Sequence, residues 1–560
     1  MVGIAACILL LTVVLSGCSA GDKVKTTPTN DISDAGEIAA KETNDPQKNK
    51  DSQEAEDAKS GKYDPPIEIT TVSDYTTLVK FADGDDINNN IWTRYIEETY
   101  GIKVKRKWST TSATESISKT NLMIASGDLP DFFMASPEQF VQLKEADLIE
   151  DMTEYFEKYA PPRVKQVIID AGPEVLQSAT FNGKLMAIPF TGLERDSAPM
   201  VWIRKDWMTK LNLSEPQSME DLLKISEAFT NQDPDGNNKK DTYGILTDKD
   251  FYYLKGLFNG FHAYNDIWIK DSTGKLTYSN IQPEMKTALA KLQAMYKDGQ
   301  IDPEFAVKDT VKAIETIGAN KVGIFFSDKG GANYPASTSL PDVEWIPYAM
   351  PSVDSKPVLL QHNLNINGFY WVVKKGYKHP EALLKIMNAF VDKFYLTTSD
   401  DDYKTFIAPP GDINPVWFLA PAKIYMSSSL DSINKSNAVL NGELSLDQGT
   451  PNVRAAYDSI KKYKEGDQSL WWVEAQANGS TRIFEQYLKN DQFMPNQFIT
   501  TPTSTMISKK ADLSAMMQET FTKIIMGISS VDEFDNFVES WKKHGGDEIT
   551  NEVNDWYYKK

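Results

Sequence analysis

The sequence predicts an α/β fold divided into more than one domain, and two observations carry that prediction. The chain has 560 residues, beyond what one domain of roughly 100–200 residues accounts for. From Ile67 onward, strand-like and helix-like segments alternate, which implies a mainly parallel sheet covered by helices. Both cysteines, Cys7 and Cys18, lie in the first 18 residues, so no disulfide can staple the body. Hydrophobic residues at 41% and charged residues at 25% are the composition of a soluble globular chain.

Each element has a local reason. Ile67 to Val72 is β-branched and follows Pro65-Pro66, so it reads as a strand. Asn90 to Tyr100 reads as a helix closed by Gly101. Ile102 to Trp108 alternates like a strand, Thr114 to Ser126 is a helix before Gly127, and Asp131 to Met134 is a short buried strand. Gly183 to Phe190 forms another strand, and Met200 to Leu213 restarts the alternation. Ser218 caps a helix carrying Leu222, Leu223 and Phe229, with Asp221 in the capping-box position. Pro283 and Pro380 each open an amphipathic helix. Asp512 to Met526 and Val531 to His544 form the last pair, stopped by Gly545-Gly546. Neither an internal repeat nor a second low-complexity segment is visible.

The N-terminus is an address. Residues 1–18 form an apolar run too short for a comfortable membrane span, and they read as the core of an export signal. Leu15-Ser16-Gly17-Cys18 resembles the lipobox of bacterial lipoproteins, which implies a lipidated Cys18 as the mature N-terminus. No Lys or Arg precedes Cys18, unlike an ordinary signal. Residues 19–65 are polar and nearly free of aromatics, the composition of a flexible tether. The expected location is the outer face of a Gram-positive membrane.

Charge and composition exclude several classes. The net charge of −20 disfavours nucleic acid as a partner. The four His are scattered, without HExxH spacing, and the body has no cysteine, so zinc hydrolysis of the common kinds is not expected.

One motif has metal chemistry. Counting Asp233 as position 1 of the stretch 231–244, Asp235 falls at 3, Asn237 at 5, Lys239 at 7 and Asp241 at 9. That is the rhythm of a Ca²⁺ loop, where position 7 uses a backbone carbonyl and Lys is therefore acceptable. Position 12 is Gly244, so the bidentate Glu is missing, and Thr242 would supply an oxygen instead. Oxygen-only ligands favour Ca²⁺ as a structural ion. The alternative is a polar Asp/Asn/Gly turn without metal.

The stretches 125-ASGDLPDFF-133, 182-NGKLMAIPF-190, 203-IRKDWMTKLNL-213, 298-DGQIDPEF-305 and 541-WKKHGGDEITNEVNDWYY-558 together resemble the extracellular solute-binding proteins of ABC importers. The nearer resemblance is to the lipoprotein branch associated with oligomeric sugars. It spans 66–560 and implies a two-lobed, type II periplasmic-binding-protein-like fold with a hinge. The implied first lobe is 66–188 with a returning segment at about 352–400, and the second lobe is 189–351. Residues 401–560 then belong mainly to the second lobe and to helices packing across the hinge, with hinges near Ile188 and Tyr348. Members of this branch carry a similar calcium loop at the corresponding place.

The resemblance further implies a monomer that closes on an oligosaccharide and docks on ABC permease subunits. A sugar needs planar hydrogen-bonding groups at its rim and aromatic rings against its C–H faces, held in loops at the carboxyl ends of strands. The candidates are Ser73, Asp74, Ser136, Glu138, Glu194, Arg195, Phe326, Ser327 and Asp328, with Trp371, Trp417, Trp471 and Trp472 as stacking platforms. Phe326 is where a related maltodextrin-type protein places a stacking aromatic. Trp371 in FYWVV also reads as core, and Arg204 with Asp206 reads as structural. Two rival classes stay open at this point. One is a lipid-anchored carbohydrate-cleaving enzyme, which needs two carboxylates about 5–10 Å apart. The other is a surface carbohydrate-binding sensor without a transporter.

Overall fold

The computed structural model describes residues 61–75, 79–192, 195–363, 369–409, 416–426 and 430–559. Cys18, the leader, most of the tether and Glu194 lie outside the described residues. The apolar side chains collect into two large cores.

The first core starts at Tyr63, which composition assigns to the tether. Its ring is 3% exposed, its amide donates to Tyr100 O (2.9 Å) and its hydroxyl to Glu381 Oε1 (2.6 Å). Strand Ile67–Asp74 pairs in parallel with Ile102–Thr110, Ile67 opposite Ile102. Helix Ile91–Tyr100 connects them. Its N-cap Asn90 accepts from the Trp92 and Thr93 amides, and Gly101 ends it at φ 65. A Cβ at Gly101 would also come within 2.2 Å of Tyr63 O, so both conformation and space require glycine there. Strand Phe132–Ala135 pairs with Tyr370–Val373 antiparallel, which in turn pairs antiparallel with Ile188–Pro189.

The second core surrounds a four-stranded sheet in the order Trp345–Tyr348, Met200–Arg204, Val322–Ser327, Tyr243–Ile245. Met200–Arg204 is antiparallel to both neighbours, and only the last pair is parallel. The sheets are therefore mixed rather than mainly parallel. Strands such as Tyr370–Val373 belong to long-range connections, and no local αβ rule sets their direction. Helices Met219–Asn231, Pro283–Lys297, Ser504–Ile525 and Glu533–Trp541 bury their apolar faces against this core.

The chain passes from one core to the other between Phe190 and Ala198, between Leu360 and Tyr370, and between Ile424 and Trp471. Tyr348, an expected hinge, sits in a strand opposite Val201. Ala422 and Ile424 belong to the first core, so that core draws on chain beyond residue 400. Among the described residues no helix is long and apolar enough to cross a membrane.

Candidate functional site

A cavity of about 510 Å³ lies where the two cores face each other. Pro137, Glu138 and Tyr370 line it from the first side, and Asp266, Trp268, Tyr278, Phe498, Lys510 and Trp541 from the second. The hairpin Trp268–Lys270/Leu276–Tyr278 builds its floor, placing Trp268 opposite Tyr278. The turn is held by Asp271, whose Oδ1 accepts from the Thr273 amide (2.8 Å), and by Gly274 at φ 84. Trp268 N donates to Asn496 Oδ1 (3.0 Å). The Tyr278 ring lies parallel to Trp541 at 5.1 Å and 5.5 Å from Trp268. Stacking contacts of this kind fix ring positions.

Asp266 precedes that hairpin with φ 57, a left-handed conformation that Asp tolerates better than most residues. Its amide donates to Asn280 Oδ1 (2.6 Å). Its neighbour Asn265 is clamped by Gln361, which accepts from the Asn265 amide (3.0 Å) and donates to its carbonyl (2.6 Å). Tyr278 Oη donates to Asp266 Oδ1 at 2.5 Å. Asp266 is reachable by solvent yet has protein on several sides of its carboxylate in the cavity lining. That desolvation pushes its carboxyl above the ordinary value against the opposing Tyr278 hydroxyl and Lys510 charge. Burial lowers His362, and the Arg195 and Lys255 cations add to the effect. Lys510 Nζ reaches Glu138 Oε1 across the cavity mouth at 3.3 Å.

Beyond His362, a second polar group gathers around Asp328. Its Oδ1 accepts from the Gly330 amide (2.7 Å), and its carbonyl accepts from Trp202 Nε1 (3.1 Å). Burial lowers the nearby Lys255 to about 8 against the pull of Asp328. Tyr252 and Tyr334 lie near this carboxylate and expose 58% and 55% of their surface. The segment Arg195–Ser197 is fastened here by a buried Asp196–Lys329 ion pair at 2.9 Å.

The structure sorts the sequence candidates. Glu138 lines the cavity. Ser136 caps helix Pro137–Glu145, accepting from the Gln139 amide and donating to Glu138 Oε2 (3.0 Å), so it positions Glu138. Asp328 and Ser327 end the central strand as expected, but Phe326 is 2% exposed and packs beneath Gly256, which leaves no face for stacking. Trp371 is core, 4% exposed, with its indole donating to Lys423 O (3.0 Å). Trp471 is likewise buried and donates to Pro341 O (2.8 Å). Trp471 and Trp472 lie side by side on one short helix. Trp417 packs in an aromatic cluster on the first side. Ser73 accepts from Arg106 Nε (2.9 Å), and Asp74 lies near Lys423; neither lines the cavity. Arg195 sits over Phe493 at 5.2 Å. Arg204 is structural, 2% exposed, and bonds Asp206 through Nε at 3.0 Å.

Asp266, Trp268, Tyr278, His362, Lys510 and Trp541 are absent from the sequence-based set. The alternation and the Asp-Ser-Thr-Gly turn of 266–278 mark a hairpin, but nothing local says that it faces the other core.

The loop 233–241 folds on itself. Asn237 Nδ2 donates to Asp235 Oδ2 (2.7 Å) and Asp241 Oδ1 (3.0 Å), and the Asn237 and Asn238 amides donate to Asp233 (3.1 Å each). Burial and the neighbouring Asp233 and Asp241 raise Asp235. The Asn237 amide thus sits among carboxylates that a cation would also satisfy. The fit is partial, since no group of three acidic side chains at metal-binding separation is found among the described residues. Thr242 is not available, because its hydroxyl is buried and donates to Phe229 O (2.7 Å). Gly244 could not be a Glu, because a Cβ there would lie 1.9 Å from Ser226 Oγ.

Comparison with known proteins places this architecture. The family model for bacterial extracellular solute-binding proteins matches residues 59–395, more than half of the chain. Lipoprotein LipO of Bacillus subtilis (strain 168) is 24% identical over 488 residues, 82% of this chain and 88% of LipO. The fructooligosaccharide ABC transporter substrate-binding protein FusA of Streptococcus pneumoniae serotype 4 is 28% identical over 258 residues, 43% of this chain and 47% of FusA. FusA in complex with kestose superposes with TM-score 0.62 at 19% identity, covering 88% of this chain and 99% of FusA. The alginate-binding protein AlgQ2 without calcium ion gives TM-score 0.59 at 20% identity, covering 89% and 99%. A further FusA structure is described as an EF-hand mutant. The fold is therefore the two-lobed, type II solute-binding fold, and the chain is a binding protein rather than an enzyme. It belongs to the bacterial extracellular solute-binding proteins.

Proposed function

We propose that the protein captures an oligosaccharide between its lobes and delivers it to an ABC permease. The observation that supports this reading best is the cavity itself. It joins both cores, presents the half-buried Tyr278 ring on a floor backed by the buried Trp268 and Trp541, and carries planar or charged hydrogen-bonding groups at its rim. A saccharide with polar edges and apolar faces matches that lining. Closure would follow from a ligand that touches both sides and so favours the state in which they are close. We assign the first lobe to the first core, including residues up to Ile424, and the hinges to the three crossings. Scattering with and without a saturating oligosaccharide tests closure. A smaller radius of gyration supports it, and an unchanged radius at demonstrated saturation refutes it.

A Ca²⁺ ion bound by Asp233, Asp235, Asn237, Asp241 and the Lys239 carbonyl would relieve the crowding of carboxylates in the loop. It is a structural ion, bound by none of the cavity-lining residues and without a second hand to move. The names of the FusA and AlgQ2 structures support the idea of calcium in this fold. A diacylglyceryl group on Cys18 would hold the protein at the outer membrane face, where two or more chains are needed for firm anchoring. Mass spectrometry of detergent-extracted protein tests it, and an unmodified Cys18 rules it out.

A further inference from the structure

We propose that Asp266 makes the cleft selective for neutral sugars and rejects uronates; this rests on the oligosaccharide reading above. The carboxylate is held by a built network. Its backbone is fixed at φ 57 by the fully buried Asn280, and the preceding residue is clamped on both sides by Gln361, itself 8% exposed. Such a conformation persists only where its surroundings impose it. What they impose is a carboxylate pointing into the cavity beside the Trp268–Tyr278–Trp541 floor.

Hydrogen-bond arithmetic then decides the ligand. An ionised carboxylate is acceptor-only, with about four lone-pair sites. The protein uses one through Tyr278 Oη at 2.5 Å and a weak second through Asn265 Nδ2 at 3.4 Å. The remaining sites can accept sugar hydroxyls, which are donors. A uronate in the same position brings a second acceptor-only anion, with no proton to share and with like-charge repulsion. The cations nearby are directed mainly to other groups, although their charge also reaches His362 and Asp266. Lys510 is engaged by Glu138 at 3.3 Å, Lys255 faces Asp328, and Arg195 lies against Phe493.

The test is calorimetric titration of the full-length protein with matched pairs of gluco-, galacto- and manno-oligosaccharides and their C6-oxidised forms, with kestose as an added neutral ligand. The expected result is a neutral member that binds on the order of 100-fold more tightly than its oxidised partner. Asp266→Asn should weaken the neutral sugar roughly tenfold and shrink the ratio to under about tenfold. The wild-type ratio stands as a test even if Asp266→Asn does not fold. Equal or tighter binding of the oxidised member overturns the inference, as does an unchanged ratio in a folded Asp266→Asn. Absence of heat with every saccharide removes the oligosaccharide reading itself, which is a different outcome from binding without preference.

Discussion

Lys329→Ala should destabilise the second lobe more than any surface substitution. Lys329 Nζ lies 2.9 Å from Asp196 Oδ2, with the two side chains 6% and 4% exposed. At that separation and an effective dielectric near 20 the gross attraction is ~6 kcal/mol, part of which only offsets the cost of desolvating both charges. Removing the ammonium takes a close cation from a buried carboxylate, and the expected loss is about 3–5 kcal/mol. The Lys329 ammonium also lies over the Phe484 ring at 5.5 Å, and the cost therefore includes that cation–π contact. Urea denaturation followed by circular dichroism measures it, as a lower midpoint at constant slope. The double variant Asp196→Asn/Lys329→Met should recover much of the loss, because neither charge is then buried. A loss below about 1 kcal/mol for Lys329→Ala, or a double variant no better than the single, would refute the claim that this pair is desolvated and mutually dependent.

Four other outcomes follow from the same coordinates. Gly256→Ala places a Cβ 2.7 Å from Phe326 Cδ1, so it should cost about 1–3 kcal/mol by overpacking, read as a lower melting temperature. Burial pushes the Glu381 carboxyl up, but His379, the Tyr63 hydroxyl and its own backbone amide outweigh this, and the net shift is below the ordinary 4.5. The folded value is thus depressed. The stabilisation is full above pH 4.5 and is lost as pH falls through the lower folded value, so Tyr63→Phe and Glu381→Gln should flatten the acid limb of a pH–stability curve. Calcium at about 100 times its dissociation constant should stabilise the protein by about 2.7 kcal/mol. Asp235→Asn should weaken that gain, and identical melting curves with calcium and with chelator would dismiss the site. Trp268→Ala should reduce oligosaccharide affinity at least tenfold by removing the floor under Tyr278; retained affinity would place the ligand elsewhere.

The sequence by itself determined those features whose cause is local. Asn90, Ser112, Ser136 and Ser218 each accept a hydrogen bond from a backbone amide of the helix they open, because capping needs only the right side chain one step before the helix. Gly101 closes its helix for the same kind of reason. The family was legible because its phrases recur in order along the chain. Tertiary structure alone decided the rest. Phe326 and Trp371 carry the residue types of a sugar platform, yet close packing buries both, and burial depends on neighbours more than a hundred residues away. Asp266 and Lys510 reach one cavity only because the helix Ser504–Ile525 returns to the mouth built by Glu138. A side chain's chemistry is written in its own residue, whereas the direction it faces is set by the sum of long-range contacts, and no short stretch of sequence contains that sum.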